Sequence, residues 1–217
     1  MEIPTLHLPC LSELANADES AAREILADKG ANFTLDCVNW PAEYPYKPEV
    51  RISSAHTDSA IFINYSVKGN SLRAVNTDFN SHVHQDSCVE FFVAPNNRAP
   101  YYNFEFNCIG TPHVAHRIDR HNGTPLSHDT IATIRRYSTC GKKPFEEITG
   151  EHSWSLLVVI PLAILGVVYK GEPIQLMGNF YKCADLTAVP HFLSWAPIAT
   201  AQPDFHRPEF FAPIILD

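Results

Sequence analysis

Cys88-Val-Glu-Phe-Phe-Val-Ala94, then Pro-Asn-Asn-Arg-Ala-Pro, then Tyr101-Tyr-Asn-Phe-Glu-Phe-Asn-Cys108: two runs rich in aromatic and β-branched residues flank a turn-forming stretch, the pattern of a β-hairpin. Alternation along each run sorts its side chains into two faces. Tyr102, Phe104, Phe106 and Cys108 fall on one side, Tyr101, Asn103, Glu105 and Asn107 on the other. On the partner run Val89, Phe91 and Val93 oppose Glu90. The expectation is one face in the core and one polar face in water.

The same reading extends outward. Val50–Ala55 and Ala60–Val67 flank His-Thr-Asp-Ser and read as a second hairpin. Ile61, Ile63, Tyr65 and Val67 share one face, Asn64, Ser66 and Lys68 the other, and Phe62 is an exception on the polar side. Trp154–Ile160, ending at Pro161, suits a strand buried on both sides, with a turn or short helix at Leu162–Leu165. Ile174–Cys183 and Pro213–Leu216 complete the strand candidates, and His113–Lys143 is a mixed excursion with a strand or short helix around Thr130–Tyr137. Residues 18–29 open with Asp18, carry good helix formers and stop at Gly30, which predicts one short helix. Three prolines and three aromatics within 39–48 predict an ordered loop pinned by its rings.

Many short strands, 17 prolines and no alternating helices for parallel crossovers predict an all-β fold. The expected architecture is an antiparallel β-sandwich, immunoglobulin- or jelly-roll-like, with one or two short helices. One domain over 1–217 is expected, with 1–38 as an N-terminal extension.

Composition narrows the function classes. Of the 217 residues 45% are apolar and 18% charged, which is globular rather than disordered. A net charge of −8 with no cluster of Lys and Arg argues against nucleic acid as a partner. The longest apolar run, Leu156–Leu165, contains Pro161 and is about half of the roughly 20 residues that cross a bilayer, so no membrane span is expected. The N-terminus has neither a basic start nor an apolar stretch of signal-peptide length, a lean toward the cytoplasm. Six cysteines without a C-x-x-C pair read mostly as small buried hydrophobes, and alternation sets Cys88 and Cys108 on opposite faces, disfavouring a bridge between them.

The chain lacks G-x-S-x-G, G-x-x-x-x-G-K-[ST], G-x-G-x-x-G and H-E-x-x-H, which lowers the odds of common hydrolase, nucleotide and zinc chemistry. Glu90 and Glu105, on neighbouring strands and one face, could serve a glycoside hydrolase as acid and nucleophile, or could accept hydrogen bonds from sugar hydroxyls. His82 and His84, and separately His113, His116 and His121 with Asp119, are candidate metal ligands on spacing alone; Asp58, Asp78 and Asp119 offer oxygens to calcium. Trp40, Tyr101, Trp195 and Phe205 are rings on which a pyranose could pack, though each suits the core equally well.

In chain order, Lys47-Pro-Glu-Val-Arg-Ile, Gln85-Asp-Ser-Cys-Val-Glu-Phe-Phe-Val, Tyr102-Asn-Phe-Glu-Phe-Asn, Trp154-Ser-Leu-Leu-Val-Val-Ile-Pro, Gly178-Asn-Phe-Tyr-Lys, Ser194-Trp-Ala-Pro and Phe205-His-Arg-Pro-Glu-Phe-Phe resemble the family 9 carbohydrate-binding modules and their DOMON-like sandwich relatives. The resemblance implies a β-sandwich that binds ends of glucan- or xylan-type chains or small sugars, often attached to glycoside hydrolases, with structural calcium in some members. It puts the family's two tryptophan clamp positions at His84 and Phe205, the latter beside His206, and the family glutamate at Glu90. The position of a family arginine is taken by Glu105, and Trp195 matches a tryptophan of structural role. The leading expectation is therefore a non-catalytic carbohydrate-binding protein with a saccharide partner, no cofactor beyond structural calcium, and a site of His84, Glu90, Glu105, Asn107, Phe205 and His206. A glycoside hydrolase using the two glutamates and an interaction domain that has lost the sugar site are the alternatives; the metal ligands, the particular sugar and the oligomeric state stay open.

Overall fold

The 88–108 hairpin forms, and it lies in the middle of the larger of two sheets. The structure is a computed structural model and describes residues 3–217. In chain order its strands are β1 (Leu6–Leu8), β2 (Ala31–Thr34), β3 (Cys37–Val38), β4 (Glu49–His56), β5 (Ala60–Ala74), β6 (Cys88–Ala94), β7 (Tyr101–Asn107), β8 (Pro112–Arg117), β9 (Gly123–Pro125), β10 (Arg135–Ser138), β11 (Phe145–Pro161), β12 (Ile174–Cys183), β13 (Phe192–Ser194) and β14 (Ala212–Leu216). Two α-helices, α1 (Glu19–Lys29) and α2 (His128–Ala132), accompany them.

The larger sheet runs β1-β14-β12-β6-β7-β8-β9, and β13 takes the rest of the β12 edge and carries β3. The smaller runs β10-β11-β5-β4-β2. Every pairing is antiparallel except that of β1 with β14. The inner faces meet in one apolar core, where Ile61, Ile63 and Tyr65 of β5 and Leu156, Val158 and Ile160 of β11 pack in the same cluster as Val89, Phe91 and Phe104 of the hairpin. Two sheets face to face, with period-2 alternation on each, make the β-sandwich that the strand pattern predicts.

Helix α1 follows its sequence signals closely: the Asp18 side chain accepts from the Ala21 amide at the N-terminus, and Gly30 closes the C-terminus. The helix lays Ala22 and Leu26 on the outer face of the smaller sheet, against Phe62, Leu157 and Val159. That contact explains both the exceptional Phe62 and the double-sided burial of the 154–160 run. Residues 3–38 are likewise part of the sandwich: β1 joins the edge of the larger sheet and β2 that of the smaller. The 39–48 loop is pinned by its rings, with Trp40 buried and its Nε1 donating to the Thr200 carbonyl at 2.9 Å. The 113–143 excursion resolves into β8, β9, α2 and β10. Strands β5 and β11 are longer than the apolar pattern marks, because their pairing continues where the side chains are exposed, with register shifts between Phe145 and Ile148 and between Thr149 and His152.

One expectation needs correction. The polar face of the hairpin is not in water: Tyr101, Asn103, Glu105 and Asn107 are buried, as is Glu90. Alternation assigns each side chain to a face but does not say what covers that face. Here Trp40, Ile198, Phe205 and Phe211, from loops before β4 and after β13, form a second apolar cluster with Cys88, Phe92, Tyr101, Tyr181 and Cys183 on the outside of the larger sheet. Cys88 and Cys108 do lie on opposite faces, in separate clusters, and all six thiols are free.

Candidate functional site

Register builds the site. Across β12, β6, β7 and β8 the residues Tyr181, Glu90, Glu105 and His113 are direct partners, forming one row on the outer face. The neighbouring row holds Cys183, Cys88 and Asn107. Directly opposed side chains in antiparallel strands start about 5 Å apart at Cβ, so two carboxyls and two thiols are brought together on the sheet. A 3-10 turn at Val83–Gln85 adds His84, and the segment before the 3-10 turn Pro208–Phe210 adds Phe205 and His206. Of these side chains, His84, Glu90, Glu105, Cys183, Phe205 and His206 line a pocket of about 150 Å³ together with Arg120, Asp185 and Asp204.

Each acid is held by neighbours. Glu105, 5% exposed, accepts from Asn103 Nδ2 at 2.7 Å, and Asn103 Oδ1 accepts from Arg117 Nε at 2.8 Å. Glu90, 3% exposed, accepts at Oε1 from the thiols of Cys183 (3.1 Å) and Cys88 (3.8 Å). Burial, reinforced by the adjacent Glu105, pushes the Glu90 carboxyl well above the usual range. Asp185 is also raised, first by burial. Burial, with the positive charges of Arg117 and Arg120, brings His206 down to about 3, so its imidazole is neutral. In the tautomer where His206 Nδ1 accepts from the Tyr101 hydroxyl (2.9 Å), Nε2 keeps a hydrogen to donate.

Of the six residues singled out from the sequence, the fold brings His84, Glu90, Glu105, Phe205 and His206 to one pocket. Asn107 is turned elsewhere, against the expectation of a ligand contact: it donates to Asp86 Oδ2 (2.9 Å) and the Asn76 carbonyl (2.8 Å) and accepts from the Thr111 amide (2.8 Å). Its neighbour Asp86 also accepts from the amides of Val75 and Asn76 and from Asn76 Nδ2, making it the knot of the turn that presents His84. Phe205 is 9% exposed and stacked on Tyr181, so it forms a narrow wall rather than an open platform. Trp40 and Tyr101 are buried, and half-buried Trp195 packs on Phe33 and Phe180.

Neither histidine group gathers three ligand atoms in mutual reach among the described residues. His82 and His84 meet edge to face, 5.6 Å between ring centroids, while His113 bonds the Asn80 carbonyl and Asp119 caps the turn at His121 and Asn122. Among the described residues, the group with three metal-ligating atoms in mutual reach is Cys88, Glu90 and Cys183. Pairing the 174–183 run with the 88–94 run would have placed Cys183 beside Cys88; Asp185, Arg120 and Asp204 carried no signal in the sequence.

The profile of carbohydrate-binding family 9 matches residues 20–216. A candidate carbohydrate-binding protein from Bacteroides uniformis is 37% identical, with 99% of each chain covered and a TM-score of 0.91. The likeness extends in fold to a family 9 module from Caldicellulosiruptor kristjanssonii, solved with cellotriose (12% identity, 97% of this chain and 92% of that one, TM-score 0.62) and with glucose (12%, 97% and 94%, 0.61). No curated protein matches the chain.

Proposed function

Because the chain belongs to carbohydrate-binding family 9, we propose that the pocket over β6, β7 and β12 receives the end of a glucan- or xylan-type saccharide and holds it without chemistry. The observation that carries this reading is the convergence of Glu90 and Glu105 with the ring of Phe205 on one small pocket. Carboxyl oxygens take sugar hydroxyls, and the C–H face of a pyranose packs on an aromatic wall. A volume of about 150 Å³ lies below the roughly 300–1,000 Å³ of sites that engulf drug-sized ligands, which suits one sugar unit rather than an internal stretch of chain.

The family match favours binding over hydrolysis. Calorimetry with glucose, xylose and cello- and xylo-oligosaccharides tests the proposal. Saturable binding that Phe205→Ala and Glu105→Gln each weaken is expected, with no turnover of aryl glycosides. A flat response to every sugar removes the reading, and turnover abolished by Glu90→Gln replaces it with a hydrolase.

A further inference from the structure

Beneath the proposed sugar position lies a group of side chains whose chemistry is not that of sugar recognition. Cys88 and Cys183 are register partners on β6 and β12, and Glu90 is the next residue on the same face of β6. Cys88 Sγ, Cys183 Sγ and a Glu90 carboxylate oxygen all lie within 4.8 Å of one another, and all three residues are buried. We infer that Cys88, Cys183 and Glu90 form a binding site for a thiophilic divalent cation, zinc, at the base of the pocket, with Asp185 as the fourth ligand.

The dimensions fit a tetrahedral ion. With Zn–S of about 2.3 Å and Zn–O of about 2.1 Å, the edges of the tetrahedron are about 3.8 Å between sulfurs and about 3.6 Å between sulfur and oxygen. Glu90 Oε1 stands 3.1 Å from Cys183 Sγ and 3.8 Å from Cys88 Sγ. Both thiols are already aimed at the oxygen that would share the ion with them, while Asp185 stands outside that mutual reach and would turn its carboxylate in to close the fourth position.

A second observation points to a missing partner. Asp185 lines the same pocket, and its Oδ1 is buried with no hydrogen-bond partner. A buried acceptor left unpaired costs about 1–3 kcal/mol, and native folds rarely leave one without a purpose. The Asp185 amide donates to the His84 carbonyl at 3.1 Å, which ties the residue to the site. Arg120, the arginine lining the pocket, is committed to Asp204 at 3.1 Å and does not answer these acids. Two sulfurs select against calcium and magnesium, whose ligands are oxygens. Binding releases to solvent one proton from each thiol and any proton held by the two carboxyl groups, so all four ligands bind as anions.

The test is titration of the reduced, chelator-stripped protein with Zn²⁺ against a chromophoric competitor, followed by X-ray absorption at the zinc edge. One ion per chain is expected, with two sulfurs at about 2.3 Å and the remaining shell oxygen at about 2.0–2.2 Å. Cys88→Ser and Cys183→Ser should each weaken binding by more than the roughly 10–100-fold that loss of an outer-sphere partner costs, while Cys10→Ser, at an exposed and distant thiol, binds like the wild type. Absence of stoichiometric binding, or a zinc shell without sulfur, overturns the site. The absorption measurement uses the wild type, so the site stands or falls even where a serine variant does not fold. Saccharide binding is measured on the metal-free protein, and either reading can fail alone.

Discussion

Phe205 lies flat on Tyr181, ring centroids 4.2 Å apart and planes 9° from parallel, while the Tyr181 hydroxyl donates to the Phe205 carbonyl at 3.2 Å. One face of the ring is thus spent on the protein. Phe205→Ala removes both the wall and a member of the outer apolar cluster, and a stability loss of about 3–5 kcal/mol is expected in urea denaturation, together with the loss of saccharide affinity. A loss below about 1 kcal/mol would mean that the stack does not hold the segment.

Asp86 answers four donors: the Val75 and Asn76 amides and the side-chain amides of Asn76 and Asn107. Each donor stranded in the interior costs about 1–3 kcal/mol. Asp86→Ala should therefore cost at least about 3 kcal/mol, and Asp86→Asn less, since an amide keeps one acceptor oxygen. Equal denaturation midpoints for Asp86→Ala and the wild type would contradict the network.

Asn103 stands between Arg117 and Glu105, accepting from one and donating to the other. Asn103→Ala leaves Glu105 without the hydrogen bond that orients it. Saccharide affinity is expected to fall about tenfold, and stability by about 1–3 kcal/mol. Unchanged affinity in calorimetry would show that Glu105 does not need the relay.

His191 is buried with Nε2 accepting from Lys182 Nζ (2.9 Å) and Nδ1 donating to the Val189 carbonyl (2.8 Å). A proton on Nε2 would face an ammonium, and burial with that charge brings the imidazole down to about 3. The unfolded ring, near 6.5, binds a proton that the folded ring refuses, so stability is lost as pH falls through 6.5 toward 3. At pH 5 the loss from this residue is about 2 kcal/mol, against a few tenths at pH 7. Gln keeps an acceptor for Lys182 and does not titrate. His191→Gln should gain about 2 kcal/mol relative to wild type between pH 7 and pH 5 in denaturation curves, with other titrating groups common to both proteins; a constant difference would mean that the ring protonates in place.

The elements legible in the sequence are those whose signals are local. Asp18 and Gly30 bound a helix because capping and termination are satisfied within one turn. The 88–108 hairpin is legible because its alternation is unbroken and its turn is short. Strands β1, β2, β3, β9 and β13 are not legible because they are brief and are stabilised by neighbours rather than by pattern, and β8 because its mixed, His-rich run carries no clean alternation. At the site, Glu90 and Glu105 were visible as a pair because they are near in sequence. Cys183 and Asp185, on a strand and loop more than 75 positions away from either acid, were not.

Sequence alone determined which side of the sheet Glu90, Glu105, Asn103 and Asn107 occupy, because a pleated backbone reverses its side chains at every residue regardless of context. Only the tertiary structure decided that this side is roofed by Trp40, Ile198, Phe205 and Phe211, that Phe62 lies under a helix, and that Asn107 braces Asp86 rather than facing the pocket. Those outcomes depend on contacts between segments far apart in the chain. What a face touches is set by the packing of the whole molecule, and no local period encodes it.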